Sequence, residues 1–278
     1  MQPIISLIYL TYRPGGFDLL VESLRHQAPV YDLVVVDDYP GRLERGETVK
    51  YIKDNGINLT WYGPSKPHSY PEQKKNGLAN AMNTGAIHSR CNYLVFLHDF
   101  VWLPPGAMME WVPTVQRFHE RTLLSGVASM QTTREPEKQG DVSVWYLPQQ
   151  FCGRAMMYTT EEWAPLYVEN FYLGMPVQFL EQTNGIDERS DCGHIAWAVQ
   201  SMAKQAVDLK WQMIVSRNLR VNMVNHRLWK KKVDNPELWH AEQMSELKVL
   251  TNPPTWQSRS PNPFDFQELR GQYLSSLA

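Results

Sequence analysis

Three apolar runs constrain the fold more than any other feature of the chain: "IISLIYLTY" (4–12), "YDLVVVDDY" (31–39) and "CNYLVFLHD" (91–99). Each is rich in β-branched or large apolar residues with little polar alternation, the pattern of strands buried on both faces. Between the first two, "FDLLVESLRHQ" spaces Phe17, Leu20, Val21 and Leu24 as one helical stripe, so the chain opens with a βαβ unit. "TVKYIKDNG" reads as a helix stopped by Gly56, "INLTWYG" as a short strand, and "NGLANAMNTGAIHSR" as a helix feeding the third run. Strand alternating with helix predicts an α/β fold with a mostly parallel central sheet, helices on its flanks and right-handed crossovers.

The linking stretch "GPSKPHSYPEQKK" is too rich in Pro and Lys for a regular element and is expected as an exposed loop beside the sheet. Downstream, "GAMMEWVPTVQRFHERT" reads as a helix apart from Pro113, "LLSGVASMQTT" and "VSVWYLPQQFCGRAMMYT" as strands, and "TREPEKQGD" as a polar loop. A helix is expected over "HIAWAVQSMAKQAV", a strand over "WQMIVSRNLRVNMV" and a last helix over "NPELWHAEQMSELKVLT", followed by "NPPTWQSRSPNPF" as a Pro-rich extended strap. The chain is thereby divided into a main domain over residues 1–225 and a helical and extended appendage over 226–278.

Composition excludes several classes. The 278 residues, 43% hydrophobic and 20% charged, suit a globular protein with a large core, and a formal charge of -2 supplies no global attraction to nucleic acid or an anionic membrane. Cys91, Cys152 and Cys192 form no C-x-x-C pair, which argues against a disulfide framework or a structural zinc site and for a reducing, cytoplasmic setting. No stretch approaches the ~20 apolar residues that span a bilayer, and the apolar opening lacks the basic flank and cleavage site of a signal peptide.

The chemistry-bearing residues gather where the strands end. Asp37 and Asp38 close "LVVVDD", and the carboxyl ends of parallel strands are where ligands bind in open α/β sheets. Two acids there accept hydrogen bonds from a ribose or a base, or else begin a turn or cap a helix. His98 and Asp99 occupy the same place in "YLVFLHDFVWLPPG". "HRLWKKK" is the one dense basic run; with Trp229 among Lys230, Lys231 and Lys232 it suits either a nucleic-acid or polyanion contact or a solvated face. Trp61, Trp102 and Trp197 are candidates for a sugar-stacking platform or for core positions.

Taken in order, "TYRP", "VDDYPG", "GLANAMNTG" and "FLHDFVWLPPG" resemble the motifs of the family 2 glycosyltransferases of the GT-A fold, which read "TYNRP", "VDDGS", "GLAAARNxG" and "FLDDDVxLPPG". The resemblance covers roughly residues 4 to 110 and extends to "EQTNGIDERSDCGHIAWAVQ", whose glycine turn and Asp187-Glu188 are similar to the family's "GGFDE", although Asp191, Cys192, Gly193 and His194 stand where the family has an acidic pair. It implies a nucleotide-diphosphate sugar as donor, a UDP-sugar first, and transfer with inversion to the hydroxyl of a glycan, lipid, protein or modified nucleobase. It places Thr11, Arg13, Asp37 and Asp38 at the nucleotide, Asn83 in the pocket wall, His98 and Asp99 near the diphosphate, and Asp191, or else Asp187, as the base that takes the acceptor proton.

The family's D-x-D acids usually hold a divalent ion that offsets charge on the leaving phosphate. Here His98, Asp99 and Phe100 stand in those three places, so the family's metal-contacting position carries a phenyl ring. In an extended strand His98 and Phe100 would face one way and Asp99 the other. A site of His98 and Asp99, completed by His226 or His194, would favour Mn²⁺ over Mg²⁺, because Mg²⁺ prefers oxygen ligands. A metal-free site would use Arg13, Lys74, Lys75, Arg227 or Lys230 to Lys232 to hold the diphosphate. Two other readings stay open: a nucleotidyltransferase, which needs a similar crevice, and a catalytically inactive nucleotide- or sugar-binding module.

Overall fold

The computed structural model describes residues 4–12, 16–27, 31–39, 45–67, 69–70, 77–118, 121–130, 137–139, 142–144, 172–192, 196–223 and 254–278. Its centre is a sheet of eight strands in the order β3-β2-β1-β4-β9-β6-β10-β5. The strands are β1 (Ile5–Thr11), β2 (Tyr31–Asp37), β3 (Leu59–Gly63), β4 (Tyr93–His98), β5 (Val101–Trp102), β6 (Thr122–Met130), β9 (Tyr172–Pro176) and β10 (Gln212–Met223). β9 runs antiparallel to β4 and β6, and β5 antiparallel to β10, while the other pairings are parallel. The mostly parallel α/β fold expected from the sequence is thus present.

The apolar runs are continuous because both faces of the sheet are covered. Ile5, Leu7 and Tyr9 of β1, with Tyr93, Val95 and Leu97 of β4, enter one core. That core is closed by α1 (Gly16–Leu24), α2 (Arg45–Asp54) and α4 (Ala107–Phe118), which contribute Leu20, Ile52 and Trp111 among others. Ile8 and Leu10, with Leu94 and Phe96, enter a second core under α3 (Leu78–Ile87), α5 (Val177–Thr183), α6 (Ala196–Asp208) and α7 (Phe266–Ser275). Pro113 does not break α4: it lies on the exposed face, as does Met109 four residues earlier, so the missing hydrogen bond falls on the solvent side.

Several elements differ from the sequence expectation. Glu137–Gln139, read as part of a polar loop, forms β7 and pairs antiparallel with β8 (Val142–Val144). β9 and α5 were not anticipated, because "YLGMP" is a five-residue strand that passes directly into a helix at Pro176, with no polar linker to mark either. α7 was missed too, although Asp265 caps it by accepting from Glu268 N at 2.9 Å, a D-x-x-E signature visible in the sequence. The helix expected over "NPELWHAEQMSELKVLT", most of "VSVWYLPQQFCGRAMMYT" and the 225/226 boundary lie outside the described residues.

Register fixes what meets at the carboxyl edge. Thr11 is level with Asp37 on one side, and Leu10 with His98 on the other. Thr11, Asp37, His98 and Asp99 therefore arrive together where β1, β2 and β4 end.

Candidate functional site

At that edge the side chains bind one another. Asp99 Oδ2 accepts from Thr11 Oγ1 at 3.1 Å and from Tyr12 N at 3.0 Å, tying the end of β4 to the end of β1. Asp37 accepts from Tyr39 N at 3.1 Å and from Tyr62 Oη at 2.9 Å, and Asp38 accepts from Ser65 N at 2.8 Å and Ser65 Oγ at 2.5 Å. The "DD" pair thus holds its own turn and anchors the loop after β3. Asp37 is buried, whereas Asp38 and Tyr39 keep part of their surface exposed, as the rim of a crevice would. Gly16 opens α1 against this edge: a Cβ there would stand 2.3 Å from Thr11 Oγ1 and 3.4 Å from Asp99 Cβ.

β4 ends at His98, so the alternation expected through Phe100 stops one residue short of Asp99. Asp99 and Phe100 form a turn, and in it Asp99 swings back to β1 while Phe100 packs against the core under α1, α2 and α4. The His98 ring meets Phe100 edge-on at 5.5 Å. A divalent ion in the family manner needs several oxygen ligands gathered here. Phe100 cannot supply one, Asp99 Oδ2 is bonded to Thr11 and Tyr12, and among the described residues no three His, Cys, Asp or Glu side chains come together as a ligand set. The described residues do not fit the ion. His226, like His194, Arg13, Lys74, Lys75, Arg227 and Lys230 to Lys232, lies outside them.

A second group of polar side chains surrounds the first turn of α3. Asp191, carried by a 3-10 helix (Glu188–Cys192), accepts from Ala79 N at 2.8 Å and Asn80 N at 2.9 Å, one bond to each carboxylate oxygen. It caps α3 from 112 residues away, and a Cβ on Gly77 would stand 2.0 Å from its Oδ2. Glu188 is fully buried and accepts from Lys66 Nζ at 2.6 Å, Asn83 Nδ2 at 3.0 Å and Asn80 Nδ2 at 3.1 Å. Burial pushes the Asp191 carboxyl up to about 8, and the nearby Glu188 adds to the rise; the two backbone N–H groups and Lys66 pull the other way.

Asn83 is buried in this group rather than in an open wall. Its Oδ1 accepts from Ile186 N at 2.8 Å and its Nδ2 donates to Ile186 O at 2.9 Å, so one amide grips both sides of the 184–188 turn. Asp187 is closed by a two-pronged pair with Arg189, whose Nη2 lies 2.6 Å and Nε 3.0 Å from its oxygens. The structure therefore places the sequence candidates in two groups: Thr11, Asp37, Asp38, His98 and Asp99 at the sheet edge, and Asn83, Asp187 and Asp191 with the α3 turn. Lys66, Asn80, Glu188 and Gly77 were not singled out from sequence. Glu188 and Gly77 sit inside quoted motifs, but nothing local marks which members of "GIDERSD" face inward. Of the candidate stacking rings, Trp61 lies against His88 with ring centroids 4.2 Å apart, and Trp102 is buried.

No protein-family model matches the chain, and no curated protein sequence is significantly similar to it. Solved structures do share its fold. Residues 1–349 of TarS from S. aureus align with a TM-score of 0.57 at 15% sequence identity, over 87% of this chain and 69% of that one. The same protein in complex with UDP-GlcNAc gives 0.55 at 14% identity, over 87% and 70%. The mannosyltransferase PcManGT from Pyrobaculum calidifontis, in complex with GDP-Man and Mn2+, gives 0.55 at 14% identity, over 99% of this chain and 75% of that one. The likeness at such identities is one of fold, an α/β architecture that this chain shares with a glycosyltransferase.

Proposed function

We propose that the protein is an inverting glycosyltransferase that moves a sugar from a nucleotide-diphosphate donor, with UDP-sugars the first to try, to an acceptor hydroxyl. The observation that carries this reading is the register that levels Thr11 with Asp37 and Leu10 with His98, and so gathers Thr11, Asp37, His98 and Asp99 at the carboxyl edge of the parallel strands, where such sheets bind nucleotides. The shared fold supports it, since two of the similar structures hold UDP-GlcNAc and GDP-Man. In this reading Asp37 and Asp38 contact the ribose or base, Thr11 shapes the pocket floor, and His98 and Asp99 stand near the diphosphate. Asn83 fixes the neighbouring turn. The cationic groups that offset the departing diphosphate are Arg13, Lys74 and Lys75, outside the described residues. A cytoplasmic setting suits three cysteines that form no C-x-x-C pair in the sequence.

Asp191 takes the acceptor proton as the hydroxyl oxygen attacks the anomeric carbon and the bond to the diphosphate breaks. It is preferred to Asp187, which Arg189 engages in a two-pronged ion pair, because a carboxyl raised to about 8 has a proton affinity suited to a base near neutral pH. A binding module draws on a different observation, namely that both Asp187 and Asp191 are already hydrogen-bonded.

A thermal-shift titration with nucleoside diphosphates and their sugars tests the donor site, since bound ligand raises apparent stability by mass action. Replacing Asp37 and Asp38 together by Asn keeps every acceptor that the backbone N–H groups of Tyr39 and Ser65 need and lets the Tyr62 and Ser65 hydroxyls accept instead of donate. The double variant should therefore keep a Tm near wild type and lose most of the nucleotide-induced shift. A large fall in Tm with an unchanged shift would make the pair a structural turn.

A further inference from the structure

The 184–188 turn is held from two sides. Asn83 grips it from α3, as described, and Asn262 grips it from the extended segment near the carboxyl end of the chain. Asn262 Nδ2 donates to Asn184 O and to Ile186 O, each at 2.9 Å, and its Oδ1 accepts from Glu188 N at 3.1 Å. Asn262 is buried, and the segment around it is tied down in the same place: Ser260 N donates to Thr183 O at 2.7 Å and Ser260 Oγ to Gly185 O at 2.8 Å. The turn pays back the contact, since Asn184 Oδ1 accepts from Phe266 N at 3.0 Å. Asn184 adopts the left-handed conformation, φ 57°, that lets both its amide and its carbonyl face the strap.

This arrangement exceeds what is needed to lay a tail on a surface. The backbone groups that Asn262 touches belong to Asn184, Ile186 and Glu188 itself, and the Glu188 carboxylate is fully buried against Lys66, Asn80 and Asn83. Asp191 follows three residues later on the same 3-10 helix and reaches the α3 N-terminus. A shift of the turn would move both acids.

We propose that the carboxyl-terminal strap is a working part of the candidate site and that Asn262 is its positioning residue, setting Glu188 against Lys66 and Asp191 against the first turn of α3. Asn262 touches no reacting atom in this account; it acts through the turn. The proposal rests on the transferase reading for its kinetic consequence and on geometry alone for its structural one. The groups that face Asp191 are the backbone N–H groups of Ala79 and Asn80 from α3, Glu188 from its own 3-10 helix and Lys66 from the loop after β3.

The test uses the full chain with Asn262→Ala, and Phe266→Leu as a control that thins core packing but keeps the backbone N–H from which Asn184 Oδ1 accepts. Misplacing a reacting group costs rate more than ground-state binding, so Asn262→Ala should lower kcat about tenfold or more while donor KM changes little. The pH midpoint of the rate should fall as water reaches Asp191, whereas Phe266→Leu should lower Tm and leave both readouts alone. If Asn262→Ala lowers Tm but leaves kcat and the pH midpoint unchanged, the strap is only structural and the proposal is overturned. Should Asn262→Ala not fold, Asn262→Asp keeps the shape and the bond from Glu188 N but sets a carboxylate against two carbonyls, and carries the same expectations. If the wild type turns over no nucleotide sugar, it is the transferase reading that fails. The clamp is then judged by carboxyl NMR titration of Asp191: a lowered midpoint in the variant supports it, and an unchanged one overturns it.

Discussion

Gly77 has ordinary extended angles, φ -78° and ψ 132°, so nothing in its own conformation calls for glycine; the space does. A side chain there would meet Asp191 Oδ2 at 2.0 Å and Cγ at 2.3 Å, and both atoms are fixed by their bonds to α3. Gly77→Ala should therefore destabilise by about 1–3 kcal/mol, the usual cost of overpacking, read as a fall in Tm. Asp191→Asn tests the partner. Because burial raises the folded carboxyl from its ordinary 3.8 to about 8, the folded chain binds the proton more tightly than the unfolded one. The contribution of Asp191 is complete below about pH 4 and is lost as pH rises through about 8, so the Tm of wild type minus that of Asp191→Asn should fall across this window. If Asp191 is the base, the wild-type rate should rise with pH through about 8 and then level, and the variant should lose it. Sequence alone could mark Asp191 as an acid at a helix start; it could not show that the helix is α3, because the partner groups lie 112 residues away in the chain.

Elements were legible in proportion to how much of their pattern is local. β1, β2 and β4 read as strands because both faces are buried and the whole run is apolar. α1 showed its stripe, and α2 its stop at Gly56, where φ is 73°. β9 was hidden because five residues carry too little periodicity, and its antiparallel place between β4 and β6 is a tertiary fact. The turn after β4 also depends on tertiary contact: "HDFVW" looks like continuing strand, and it is the bonds from Thr11 and Tyr12 that draw Asp99 out of line. α7 packs on the second core through Phe266, and its start is marked by its cap. Asp265→Ala should cost about 1 kcal/mol. Hydrogen exchange should report the loss as faster exchange in the first turn of Phe266–Ser275 with protection in β1 unchanged.

At the scale of the molecule, the sheet order places the ends of β2, β1 and β4 side by side, and this gathers "TY", "VDD" and "HD", far apart in sequence, at one edge. That the sheet is mostly parallel followed from strand alternating with helix; the order of its strands did not. The joining of the carboxyl-terminal segment to the 184–188 turn did not, because it is made by asparagine amides and backbone carbonyls that leave no periodic trace. Among the described residues no helix is long and apolar enough to cross a membrane. The proposed transfer of a sugar from a nucleotide donor can be followed by incubating the protein with UDP- and GDP-sugars in excess EDTA and observing the products by NMR. The expected result is slow release of nucleoside diphosphate and free sugar, the sugar appearing first as the anomer inverted from the donor, with release abolished in Asp191→Asn. Nucleotide binding with no free sugar from any donor would contradict it.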